Sequence, residues 1–235
     1  LGGFAGVAER LPALAELGVT AVELMPVAEF PGRRNWGYDG VLPFAPDSAY
    51  GRPEDLKRLI DAAHGRGLMV FLDVVYNHFG PDGNYLHAYA PSFFTPRHHT
   101  PWGDAINFDD DDSATVRAFF IHNALYWLEE YRFDGLRFDA VHAIAPNAWL
   151  STLARALRRR VEPGRHVHLV LENDENQAHL LSDGFDAQWN DDFHHVMHVL
   201  LTRQVEGYYA DYVEETTAKL LRALASGFVY QGEPS

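Results

Sequence analysis

Short apolar runs alternate along this chain with longer stretches of helical periodicity. Val7, Leu11, Leu14 and Leu17 fall at helical spacing over 5–17, and Gly18 supplies a C-terminal stop. Residues 20–27 (TAVELMPV) read as a buried strand ended by proline. Pro53 opens a helix to about His64, with Gly65 and Gly67 after it. Strands are expected over 68–75 (LMVFLDVV), 135–140 (GLRFDA), 167–172 (VHLVLE) and 185–189. Helices are expected over 113–131, with Ser113 as its cap, and over 147–160, 192–205 and 212–225. Strands alternating with helices of this length define βαβ units and a parallel sheet. Segments 29–50 and 77–108 carry Gly, Pro and aromatics without a period and read as long loops. Both follow the C-terminal ends of strands, where α/β enzymes place their chemistry. The acidic run 109–112 is expected to be a solvated turn.

Composition narrows the functional classes. The 235 residues are 47% apolar and 13% aromatic, enough for a sizeable core. Acids outnumber bases 33 to 19, for a net charge of −14. Such a field repels phosphate backbones and anionic lipid, so neither nucleic acid nor a membrane surface is expected as a partner. The absence of cysteine removes disulfides, Cys-ligated zinc and a thiol nucleophile, and suits a cytoplasmic protein. No apolar run approaches the roughly 18 residues of a membrane span. The chain begins at Leu1 without a leader pattern and stops on Gly-Glu-Pro-Ser, so both ends read as cuts.

Charged residues stand where strands should be apolar. In GLRFDAVH, side-chain alternation puts Leu136, Phe138 and Ala140 on one face and Arg137 with Asp139 on the other. A parallel strand is covered on both faces, and an unpaired charge there costs several kcal/mol. The pair can compensate each other; equally, Arg137 can hold Asp139 ionised with a lowered pKa, as a nucleophile requires. Asp73 and Asn77 share a face in DVVYNH, with His78 just beyond, and Glu172 ends VHLVLE. Glu23 repeats the pattern and suits a simple buried polar group. Carboxylates near the C-terminal ends of consecutive parallel strands converge on one mouth if the sheet closes into a barrel.

These segments resemble a known family. DVVYNH (73–78), GLRFDAVH (135–142) and the strand ending at Glu172 resemble three of the four signature regions of the α-amylase superfamily, in matching order and spacing. NWGYDG (35–40) resembles the loop bearing its sugar-stacking tyrosine. Within the superfamily, LENDEN and FDAQWNDDFHH resemble the branch that releases trehalose from malto-oligosyltrehalose. The glycogen branching enzymes are the nearest alternative. The resemblance implies a (β/α)8 barrel, of which 1–235 would be the central part, strands two to six. A fourth region with a third carboxylate is implied downstream, and nothing after Gly227 resembles it. The β-rich domains that flank the family barrel are not read here either. The 235 residues are therefore expected to be inactive alone.

The resemblance also implies roles. Asp139 would be the nucleophile and Glu172 the general acid/base of a retaining glycosidase, with malto-oligosyltrehalose or another α-1,4-glucan as substrate. The apolar neighbours of Glu172 would raise its pKa toward operating pH. The bland reading of Glu172 is a helix N-terminal acid. Tyr38 would stack on sugar, Trp36 would either add to the platform or pack in the loop, and His78 would hydrogen-bond the same sugar. Arg137 and His142 would face the substrate. Asp73 would orient Arg137. Asn77 resembles a calcium-ligating position, but no further ligand set stands out, so no metal and no cofactor are expected. Asp191, with Asp192, His194 and His195, would either shape the sugar pocket or start a surface helix. His98 and His99 read as solvated loop residues. A non-catalytic glycan-binding domain is the competing class; it would have no need of buried charges.

Overall fold

A computed structural model describes residues 2–232. Its strands are β1 (Ala21–Leu24), β2 (Ala28–Glu29), β3 (Leu42–Pro46), β4 (Met69–Val74), β5 (Phe94–Thr100), β6 (Gly103–Ile106), β7 (Gly135–Phe138), β8 (His168–Leu171) and β9 (Ala187–Gln188). The helices are α1 (Phe4–Ala8), α2 (Leu11–Leu17), α3 (Pro53–His64), α4 (Leu86–Tyr89), α5 (Ser113–Glu129), α6 (Ala148–Arg160), α7 (Asp191–Thr202) and α8 (Thr216–Ser226).

β1, β4, β7, β8 and β9 form one sheet in that order, every pair parallel. The first three crossovers carry α3, α4 with α5, and α6, and the last a 3-10 helix over Ala178–Asp183. This is the serial arrangement of a (β/α)8 barrel with five of its strands present among the described residues. The register sets the two faces. Leu72, Leu136 and Leu169 lie side by side, as do Val74, Phe138 and Leu171. These residues are buried with Leu56 and Ile60 of α3, Phe120 and Leu128 of α5, and Leu153 and Leu157 of α6 in one core. Burying each such side chain contributes about 1.5–3 kcal/mol. The alternate residues, Phe71 beside Gly135 and Asp73 beside Arg137, point to the barrel interior. At Gly135 an added Cβ would stand 2.8 Å from the His168 carbonyl, so only glycine lets the strands meet where the Phe71 and His168 rings stack.

Several sequence expectations are refined. The single helix over 5–17 is two helices, because Pro12 in the first turn of α2 starts a new one after the break at Glu9 and Arg10. The strand over 20–27 stops at Leu24, and Ala28–Glu29 turns away to pair antiparallel with β3. The two long loops are not unstructured, since each holds an antiparallel hairpin, β2–β3 and β5–β6. Ser113 is the first residue of α5 rather than its cap. The helix expected over 212–225 begins only at Thr216, after a 3-10 turn over Gly207–Tyr212. The run 109–112 does more than face solvent: Asp109 pairs with His98 at 2.9 Å and Asp110 with Arg97 at 2.9 Å, tying the β5–β6 hairpin to the start of α5. His98 is thereby a paired strand residue, not a solvated loop one.

Candidate active site

The strand ladder continues past the formal ends of the strands and places the carboxylates. Asp139 N–H donates to the Val74 carbonyl at 3.0 Å, and Glu172 N–H to the Phe138 carbonyl at 3.0 Å. Asp139 and Glu172 therefore leave adjacent strands at one level. Ala140, between β7 and the turn that follows, is held at φ +42°, a left-handed conformation that costs a non-glycine residue of order 1 kcal/mol. That turn aims the Ala140 N–H at Oε2 of Glu172, 2.8 Å away.

Arg137 is the centre of the site. Its Nη1 donates to Oδ1 and Oδ2 of Asp73 and to Oδ1 of Asp139, each at 2.8 Å. Its Nη2 lies 2.9 Å from Oε2 of Glu172. One guanidinium thus holds three carboxylates, and it is only 2% exposed. Burial opposes its charge, but the three acids outweigh burial and hold its pKa above the ordinary arginine value. Burial pushes Asp73 up to about 7, against the opposing pull of Arg137 and of the Tyr38 hydroxyl. Glu172 also rises, through burial first, with the N–H of Ala140 and Arg137 pulling it down and Asp139 pushing it up. The expected elevation is present, and its source is burial beside Asp139 as well as apolar neighbours.

Asn77 serves Asp139 directly. Its Nδ2 donates to the Asp139 carbonyl at 2.8 Å and to Oδ2 at 2.9 Å, while its Oδ1 accepts from Nδ1 of His78. His78 has its pKa lowered by burial and stacks at 4.3 Å on Trp102, a residue that the sequence reading passed over. Trp102 sits between β5 and β6, so its arrival at His78 depends on a hairpin with no local sequence signal.

The NWGYDG turn delivers Tyr38. Asn35 accepts from the Gly37 N–H at 2.7 Å and donates to Asp39 at 2.6 Å. Gly37, at φ +98°, passes so close to the Pro26 carbonyl that a Cβ would lie 2.1 Å from its oxygen. The Tyr38 hydroxyl then donates to Oδ2 of Asp73 at 2.9 Å. Trp36, on the same turn, projects outward and is 78% exposed.

His142 and Asp191 come together in a neighbouring open cleft of about 580 Å³, which also draws lining from Asp174, His195, Tyr208 and Tyr212. His142 pairs with Asp174 at 3.1 Å, and Asp191 faces His194 at 3.7 Å. Asp191 is the first residue of α7, but the cap is Asn190, whose side chain accepts from the Phe193 N–H. Asp192 points the other way. It is fully buried and accepts from Tyr212, Val229 and Tyr230, which fastens α7 to the segment after α8. At the opposite end of the sheet, His166, His168 and Asp186 bring possible metal-binding atoms within 4.8 Å of one another. Arg158 already occupies Asp186, which opposes a further cation there.

The comparisons with known proteins agree with this arrangement. Residues 1–102 match the family model of the alpha amylase catalytic domain. A malto-oligosyltrehalose trehalohydrolase of Saccharolobus solfataricus is 41% identical across all of this chain and 42% of its own length. Another, from Deinococcus radiodurans, is 45% identical across 99% of this chain and 38% of its own. A crystal structure from Salmonella typhimurium, of a protein provisionally called an alpha amylase, superposes with a TM-score of 0.91 at 48% identity, over 98% of this chain and 41% of that one. Over 1–102 the chain is similar to the α-amylase catalytic domain of glycoside hydrolases, and over nearly all its length to the malto-oligosyltrehalose trehalohydrolases, of whose length it spans about two fifths.

Proposed function

We propose that the protein carrying this chain is a retaining glycoside hydrolase that releases trehalose from malto-oligosyltrehalose, by cleaving the α-1,4 bond next to the terminal trehalose. Residues 1–235 would be the central part of its catalytic barrel. Asp139 is the nucleophile: its carboxylate attacks the anomeric carbon while the Glu172 carboxyl gives its proton to the departing oxygen of trehalose. The resulting glycosyl ester on Asp139 is opened by water, whose proton returns to Glu172. Tyr38 and His78 hold the sugar at this point, Trp36 extends the platform, and His142 with Asp191 face the trehalose side. Asp73 and Asn77 position Arg137 and Asp139.

The observation that carries this reading is the pairing of Asp139 with Glu172. One guanidinium spans the two carboxyl groups on neighbouring strand ends, with Arg137 Nη1 2.8 Å from Asp139 Oδ1 and Nη2 2.9 Å from Glu172 Oε2. Two carboxyl groups bridged by a single guanidinium suit the close pair of a retaining enzyme better than the wider spacing of inverting enzymes. A binding module would have no use for two buried carboxylates and a half-buried third gathered around one arginine. No helix among the described residues is long and apolar enough to cross a membrane. With no cysteine to protect, the chain suits the cytoplasm.

The test is incubation with maltotriosyltrehalose, followed by NMR of the products. Trehalose plus maltotriose, with the new reducing end first seen as the α-anomer, supports the reading. First appearance of the β-anomer contradicts retention, and branched glucan from amylose with no trehalose from the test sugar makes the protein a branching enzyme.

A further inference from the structure

Trp189 stands just beyond β9, where its N–H donates to the Leu171 carbonyl at 2.8 Å. That bond ties its backbone to the residue before Glu172. Its indole lies over Arg137, with the guanidinium carbon 4.2 Å from the ring centroid. The hydrogen bonds and ion pairs of Arg137 all engage its terminal nitrogens, and Nε is buried with no partner. Contacts to the terminal nitrogens run along the guanidinium plane and leave its faces unbonded. Trp189 covers one of them. A cation over an indole face is attracted by the ring quadrupole, more strongly when water is excluded. Arg137 is 2% exposed although Trp189 itself is 45% exposed, so the ring acts as a cover with one side wet.

The geometry points to Trp189 as a positioning residue: through Arg137, it fixes the guanidinium plane at the tilt that serves Asp139 and Glu172 together. This rests on the assignment of Asp139 and Glu172 as the reacting pair. An exposed tryptophan beside a glycosidase site also fits a sugar platform, and kinetics separate the two. A platform binds ground state and transition state alike, so its loss raises KM. A residue that orients the reacting carboxylates acts on kcat.

The experiment compares Trp189→Phe and Trp189→Leu in the intact protein on maltotriosyltrehalose, with melting curves taken in parallel. For Trp189→Leu, kcat is expected to fall about 10- to 30-fold with KM within about twofold, in line with a desolvated cation–π contact. Trp189→Phe, which keeps a weaker ring face, is expected to stay within about threefold of the parent. Site-specific replacement by trifluorotryptophan keeps the shape and drains the ring face, so it serves if the leucine variant does not fold; kcat should fall several-fold. Unchanged kcat in the fluorinated or leucine protein overturns the proposal, as does a tenfold rise in KM at constant kcat. If the parent protein itself releases no trehalose, the failure belongs to the assignment of function instead.

Discussion

Arg137 Nη1 donates to Oδ1 of Asp139 at 2.8 Å, across two residues of one strand end, and the same nitrogen reaches both oxygens of Asp73 on the neighbouring strand. Asp139 is thus held by a cation that is itself fixed from the side. Above pH 7, where Asp73 is ionised, replacing it by Asn leaves Arg137 with less compensating charge in a buried setting. Breaking a buried pair from one side costs about 3–5 kcal/mol, and the lower end applies because Asp139 and Glu172 remain. Urea unfolding of Asp73→Asn should show a loss of about 3 kcal/mol, together with a kcat reduced well beyond any change in KM.

The elevation of Glu172 by burial gives a pH signature. In the proposed mechanism the protonated form donates to the leaving oxygen, so the rate is expected to fall as pH rises through a Glu172 pKa raised above its ordinary value. Glu172→Gln should remove that alkaline limb from the kcat/KM profile and leave a flat, low residual rate. An unchanged alkaline limb in the glutamine variant would assign it to another group.

Asp192, itself buried, accepts two buried hydrogen bonds from Tyr212 and the Val229 amide and a part-buried one from the Tyr230 amide. In Asp192→Ala each donor is stranded, at about 1–3 kcal/mol apiece. Hydrogen exchange should accelerate at the Val229 and Tyr230 amides, while amides of β4 and β7 stay protected.

Gly135 has no room for a methyl group between the Phe71 ring and the His168 backbone. Gly135→Ala should lower stability by about 1–3 kcal/mol through overpacking. Equal melting temperatures would show that the two strands can part without cost.

The parallel sheet and the cluster of charges at its strand ends were legible because strand alternation is local. Arg137 and Asp139 share a face by parity alone, and the same parity brings Asp73 beside them once the strands pair in register. The partners that arrive through tertiary structure were not legible. Trp102 reaches His78 from a hairpin inside a segment that looks like loop, and Trp189 reaches Arg137 over a strand only two residues long. The Asn77 amide donates to both the carbonyl and the side chain of Asp139, a contact that strand parity alone does not foretell. Asp191 and Asp192 are neighbours in sequence with opposite fates, since one helical step of about 100° sends the first to the cleft and the second into the core.

The most direct measurement is trehalose released from maltotriosyltrehalose by the intact protein and by its Asp139→Asn variant, with binding of the sugar followed separately. The amide keeps the size and loses the nucleophilic charge. The expected result is steady trehalose release by the parent and a loss of at least a thousandfold, about 4 kcal/mol, in the variant, with sugar binding kept within a few-fold. Trehalose release by Asp139→Asn at the parental rate would contradict the assignment of the nucleophile and, with it, the mechanism built on Arg137.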